Sequence, residues 1–257
     1  MHAVYHEQQS CRRCGLHAVN NLLQLQPQHV GYLSVAEANS IAESLFHEDC
    51  VASRAVSQQG RQPAGLAQCA YWVRLVLEPC LTPYRSAFPC FSGDYDIQVL
   101  AEALRRRRCE FVGHWMASPA AFTESMENLQ RGLEELILHR QRQKGSDIKF
   151  CGLIVNRPAC LGGRHWYALL SPNMNASATW IFSDSIKPSP VPLMQAETAG
   201  HDRSASMEIE AVTGHLQQQL ADSRRCAPVC GWTRVWHVFA VAKAASSEAD
   251  DPTLGTM

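Results

Sequence analysis

The sequence predicts an α+β domain, with helices first and antiparallel strands later. From Cys14 to Gln143 the apolar residues recur largely at helical spacing. From Phe150 onward the pattern changes to short runs rich in β-branched and aromatic residues, broken by turn residues. The chain has 257 residues, 46% hydrophobic and 18% charged, which is enough apolar material for one large domain or two small ones.

The elements follow in order. Cys14 to Gln24 reads as a helix with Leu16, Val19, Leu22 and Leu23 on one stripe. Val35 to Phe46 reads as a second helix, opened by the capping-box pair Ser34 and Glu37. Residues 50 to 82 read as an insertion: Ser57 to Pro63 has loop composition, and Cys69 to Leu77 is apolar without a clean period. Tyr95 to Arg106 is predicted helical, with Ile97, Leu100 and Leu104 inward. Ala120 to Gln143 forms a longer helix on Met126, Leu129, Leu133, Leu136 and Ile137. Strands are predicted at Phe150 to Val155, Trp166 to Leu170, Thr179 to Phe182 and Val235 to Val241, with a helix at Glu210 to Leu220 before the last. The segment after Ala244 is small and polar and reads as a flexible tail over 245–257.

Composition narrows the function. A formal net charge of -1 offers no overall electrostatic case for nucleic acid or an anionic membrane. Arg105 to Arg108, near a helix end, read as a solvated face that suits the helix dipole. No run of eighteen apolar residues predicts a membrane span, and MHAVYHEQQS lacks the apolar core of a secretory signal. Eleven cysteines, an odd number in a long chain, fit a reducing cytoplasmic or nuclear setting better than a disulfide framework.

Three places carry chemistry. Cys14 opens a helix, where unpaired amides and the dipole favour a thiolate, although a cysteine opening an apolar helix is by itself more often a packing residue. A hairpin turning between Met174 and Asn175 would set His165 directly opposite Asp184; a carboxylate beside an imidazole fixes its tautomer and stabilises the imidazolium. Taken alone, that pair also reads as a surface ion pair. Gln9, five residues before Cys14, is within reach to turn its amide back to the helix start as an oxyanion donor, with Gln8 the other candidate. The ordered set Gln, Cys, His and Asp, on a helix start and then a sheet, matches the papain-like plan.

At this point a resemblance becomes specific. HEQQ (His6 to Gln9), Cys14-Gly15-Leu16-His17-Ala18 and Asn20-Asn21 resemble the opening of the Josephin domain. Pro83-Tyr84-Arg85-Ser86 and Gly93 to Leu100 resemble its central segment, and Arg164-His165-Trp166 and Ser183-Asp184-Ser185 resemble its histidine and acidic motifs. Asp184 is closer to the short Josephin-only proteins than to the ataxin-type members, which carry asparagine there. The resemblance touches most of residues 5 to 242. It implies a papain-like Josephin fold, with an N-terminal helical part packed on an antiparallel sheet, as one catalytic domain over residues 1–244.

It further implies a cysteine-type deubiquitinase with Cys14 as nucleophile, His165 as base, Asp184 as orienter and Gln9 as oxyanion donor. His17, Ile97, Gln98 and Trp166 become candidate ubiquitin contacts, although His17 also reads as a packing residue and Ile97 as core. The implied partners are ubiquitin and ubiquitinated proteins, for a monomer that requires no metal or cofactor. Three other classes are weighed against it. A thiol–disulfide oxidoreductase would use Cys11 and Cys14, but too little chain precedes Cys14 for the strand such motifs follow. A zinc module would use Cys11, Cys14, Cys226 and Cys230, whose pairs are crowded by basic residues. An inactive ubiquitin-binding scaffold would keep the fold alone. Cys11 beside Cys14 also raises a redox liability, a transient disulfide after oxidation.

Overall fold

The computed structural model describes residues 4–9, 13–59, 95–118, 121–142, 148–158, 164–174, 179–193, 205–225 and 235–244. Within these, five helices and six strands follow the order α1 (Cys14–Leu23), α2 (Val35–Gln59), α3 (Ile97–Arg105), β1 (Cys109–Ala117), α4 (Phe122–Arg142), β2 (Ile148–Pro158), β3 (Arg164–Leu170), β4 (Ile181–Ser183), β5 (Val191–Pro192), α5 (Ala205–Arg225) and β6 (Trp236–Ala244). The strands form one sheet in the order β1-β6-β2-β3-β4-β5, and every neighbouring pair is antiparallel. This is the predicted α+β class, with the N-terminal helices packed on an antiparallel sheet.

Both faces of the sheet are covered. Along β3, Trp166, Ala168 and Leu170 face a core built with α1, α2 and α3, while Tyr167 and Leu169 face a second core built with α4 and α5. That is why the central strands read as nearly continuous apolar runs rather than as clean alternation. α1 lies across β3 and β2 and is buried from Cys14 to Leu22 on every side, polar residues included.

Most predicted elements are present, and the departures have physical causes. α2 runs on to Gln59, so the first ten residues of the expected insertion are helix; no glycine or proline interrupts the chain between Val35 and Gln59. The remainder, with the apolar run Cys69 to Leu77 and the motif Pro83 to Ser86, lies outside the described residues. Ser34 makes half of its capping box, accepting from the Glu37 amide at 3.1 Å. The Glu37 carboxylate goes instead to Arg107, at 2.7 Å. Arg107 is therefore a correction to the solvated run: its side chain is 9% exposed and also donates to Gly31 O and Ala103 O. It ties α3 to α2, while Arg105 and Arg106 stay outside, paired with Glu102.

β1 is a strand the sequence pattern does not announce. Its register on β6 slips between Phe111 and Gly113, which breaks the period of two. A second slip falls between Phe150 and Gly152 on β2. There Gly152 has φ 143, and a Cβ would stand 2.1 Å from Leu169 O. Gly152→Ala is therefore expected to lower stability by about 3 kcal/mol or more, read as a fall in the thermal or urea midpoint. An unchanged midpoint would show that the bulge relaxes freely.

Candidate active site

α1 is central, and its polar residues need internal partners. They find them in the extended segment 5–9, which crosses the helix like a strand whose ladder is made by side-chain amides. Gln24 accepts from Tyr5 N at 2.7 Å and donates to Tyr5 O at 3.1 Å. Asn21 accepts from Glu7 N at 2.6 Å and donates to Glu7 O at 3.4 Å. The Glu7 carboxylate gathers Tyr32 Oη at 2.6 Å, Asn20 Nδ2 at 3.0 Å and His17 Nδ1 at 3.1 Å. Burial alone would raise the Glu7 carboxyl, but His17, Tyr32 and Asn20 outweigh it and hold it below its usual range.

The other edge of this strap is fixed to the loop after β4. His6 bonds Ser183 Oγ and Lys187 O through its two ring nitrogens, both at 2.9 Å. Gln9 N donates to Ser185 O at 2.7 Å, and Ser185 Oγ donates to Gln9 Oε1 at 3.3 Å. With Oε1 accepting from Ser185, the Gln9 amide has its two Nε2 protons to donate. Gln8 is exposed. The strap thus sets Gln9 against the loop that carries Asp184.

Cys14 is the first residue of α1, and it is buried. Arg13 makes no side-chain cap, and the first turn of the helix holds no acidic residue. The next residue, Gly15, is seated on the sheet: a Cβ there would be 3.3 Å from Trp166 Cδ1 and 3.4 Å from the Leu100 methyls. The helix start therefore rests against the residue that follows His165.

His165 Nε2 meets Asp184 Oδ1 at 2.8 Å in a buried contact. The pairing differs from the hairpin expected. β3 and β4 are aligned Ala168 to Ser183, Leu169 to Phe182 and Leu170 to Ile181, which displaces Asp184 by two residues from a position opposite His165. An even shift keeps both on one face of the sheet, so the pair closes diagonally. Asp184 Oδ1 also accepts from Ile186 N at 3.0 Å, and Arg157 Nη2 lies 3.8 Å from Oδ2. Burial would raise the Asp184 carboxyl, but His165, the Ile186 amide and Arg157 together hold it below its usual range. An ionised carboxylate only accepts, so neutral His165 donates from Nε2 and keeps its lone pair on Nδ1.

The candidate ubiquitin contacts divide. His17 and Trp166 are 3% and 4% exposed, so their side chains serve the interior and offer no surface to a partner. Ile97 is half-buried against the first core and Gln98 is exposed at the start of α3, where Asp96 caps the Gln98 amide at 2.9 Å. Cys11, Cys226 and Cys230 lie outside the described residues, and with them the redox and zinc readings; among the described residues no group of three metal-ligating side chains gathers. Arg157 has no part in the sequence reading, and Glu7 and Ser185 enter it only within the HEQQ and Ser183-Asp184-Ser185 motifs, with no role of their own. The polar pair Asn20-Asn21 on an otherwise apolar helix was the signal for Glu7, since buried amides demand partners.

Within this fold a cysteine opens the central helix and a histidine on the sheet pairs with a buried carboxylate, a set of residue types that cysteine-protease-like hydrolases use. The Josephin family model matches residues 9–201, and the chain belongs to the Josephin family, whose members are cysteine-protease-like deubiquitinases and bind ubiquitin. No curated protein matches the chain. No helix among the described residues is long and apolar enough to cross a membrane.

The strap carries a pH prediction. The folded Glu7 carboxyl sits below its ordinary value of 4.5, so its contribution is complete above that value and is lost as pH falls through the folded one. Glu7→Gln is expected to cost about 1–2 kcal/mol at neutral pH, and the gap to wild type should close as pH falls below 4.5. Urea unfolding at a series of pH values checks this; a gap that is constant with pH would refute it.

Proposed function

We propose that this protein hydrolyses isopeptide or ester bonds at the C-terminus of ubiquitin through Cys14, His165, Asp184 and Gln9. The observation that carries this reading is the buried 2.8 Å contact of His165 Nε2 with Asp184, on the strand against which the start of α1 is seated. It leaves Nδ1 as the nitrogen able to take the thiol proton.

In the cycle that follows, Cys14 gives its proton to His165 Nδ1 and its sulfur attacks the carbonyl carbon. The oxyanion accepts from the Gln9 amide and the amides at the helix start. The imidazolium, steadied by Asp184, gives its proton to the departing amine or alcohol, and a thioester remains. Water, deprotonated by His165, attacks that thioester and returns the thiol. The chemistry calls for no metal or cofactor. Ile97 and Gln98 are the surface we assign to ubiquitin.

We further assign the catalytic domain to residues 1–244, because β6 lies inside the sheet between β1 and β2 although it follows the matched span. Residues 245–257 are assigned to a tail. A monomer in the cytoplasm, the nucleus or both, without nucleic-acid partners, completes the proposal.

The test is reaction with a ubiquitin C-terminal electrophile. A covalent adduct is expected for wild type and Cys11→Ala and none for Cys14→Ala. No adduct from folded wild type would turn the reading to a ubiquitin-binding scaffold. Gln9→Ala is expected to lower kcat by about a hundredfold while leaving alkylation of Cys14 by a small electrophile unchanged, since alkylation forms no oxyanion. Equal losses in both assays would remove Gln9 from that role.

A further inference from the structure

Asp184 presents two oxygens, and the cycle above uses one. Oδ1 takes His165 and the Ile186 amide; Oδ2 is faced by the Arg157 guanidinium at 3.8 Å. Arg157 stands on β2 directly opposite His165 on β3, so both reach the same carboxylate from one face of the sheet.

The surroundings explain why a second cation is needed. Asp184 is 2% exposed, and a buried carboxylate is tolerated only when paired. His165 supplies a charge only while it holds the extra proton, which is part of each turnover. Among the described residues, the phenol and the imidazole that β3 and α5 bring beside Arg157 and Asp184 are neutral at pH 7. Tyr167, the neighbour on β3, has its phenol pushed up by burial. His215, reaching in from α5 to pack at a tilt against Phe182 with ring centroids 4.6 Å apart, is held down at about 4 by burial and by Arg157. His6, on the strap, spends both ring nitrogens on Ser183 and Lys187.

We propose that Arg157 is a positioning residue: its permanent charge holds Asp184 ionised, with Oδ1 turned to His165, through the half of the cycle in which the imidazole is neutral. This rests on the catalytic reading of His165 and Asp184. The contact is long and Arg157 is partly solvated, with its side chain 29% exposed, so it steadies the carboxylate without cancelling its pull on the imidazolium.

The test measures the pH profile of Cys14 alkylation by chloroacetamide in wild type, Arg157→Met and Arg157→Lys, together with their thermal midpoints. This readout needs no ubiquitin. Removing a cation lets Asp184 take its proton at higher pH, so the acid limb of Arg157→Met should move upward. Reactivity at the foot of that limb should fall by about threefold, and Arg157→Lys should restore it. A profile of Arg157→Met that overlays wild type overturns the proposal and leaves the catalytic reading intact. So does an equal loss at every pH in both variants, which marks a structural role. A wild-type profile with the single ionisation of an isolated thiol overturns the His165 pairing itself, and the role of Arg157 with it.

Discussion

The burial of α1 on all sides is the constraint on which the rest depends. A helix in the middle of a domain places its polar residues where water cannot reach them, and each unpartnered amide there costs on the order of 1–3 kcal/mol. Asn20, Asn21 and His17 are such residues. Their partner is the extended segment before the helix, whose Glu7 carboxylate and backbone answer them one by one. The same hydrogen bonds that make the helix tolerable in the core thus fix the chain that carries Gln9. Stability of the centre and placement of a proposed oxyanion donor are one arrangement rather than two.

The sheet supplies the second half of the geometry. Because both of its faces are packed, β3 can neither slide nor rotate without exposing one of two cores. Gly15 against Trp166 then fixes where the helix start meets that strand. His165 lies at the edge of this packed region and Asp184 in the turn just beyond β4. There the backbone can spare an amide, that of Ile186, for the carboxylate. The residues proposed for catalysis come from a strap, a helix start, a strand and a loop, and each is held by neighbours that serve packing first.

What the sequence made legible follows from how local each signal is. α1 was readable because Leu16, Val19 and Leu22 fall on one stripe, and α3 because Leu100 and Leu104 do. β1 was not, since the slip at Phe111 and Gly113 destroys the period a strand is recognised by. The length of α2 was obscured by the loop-like composition of Ser57 to Gln59, which the helix overrides. The side chains of Cys14, His165, Asp184 and Gln9 could be named from residue type and order. The diagonal pairing of His165 with Asp184 could not, because a two-residue displacement leaves the same pattern of faces. Arg157, Arg107 and Glu7 take their roles from partners 27, 70 and up to 25 residues away in sequence, and a charged residue read locally is only a solvated one.

Two carboxylates, the half-buried Glu7 and the buried Asp184, carry the polar structure of this site, and both are held below their ordinary range against the opposing effect of burial. Groups of that kind act in one direction. Their favourable interactions are complete above the ordinary carboxylate range and fail as pH falls through the lowered values. The strap that carries Gln9 and the pair that orients His165 therefore weaken on the same side of neutrality. Acid removes the anion that pairs with His165 and the anion that anchors the strap, so the candidate site and the centre of the fold share a low-pH boundary. Above that boundary neither anion changes state.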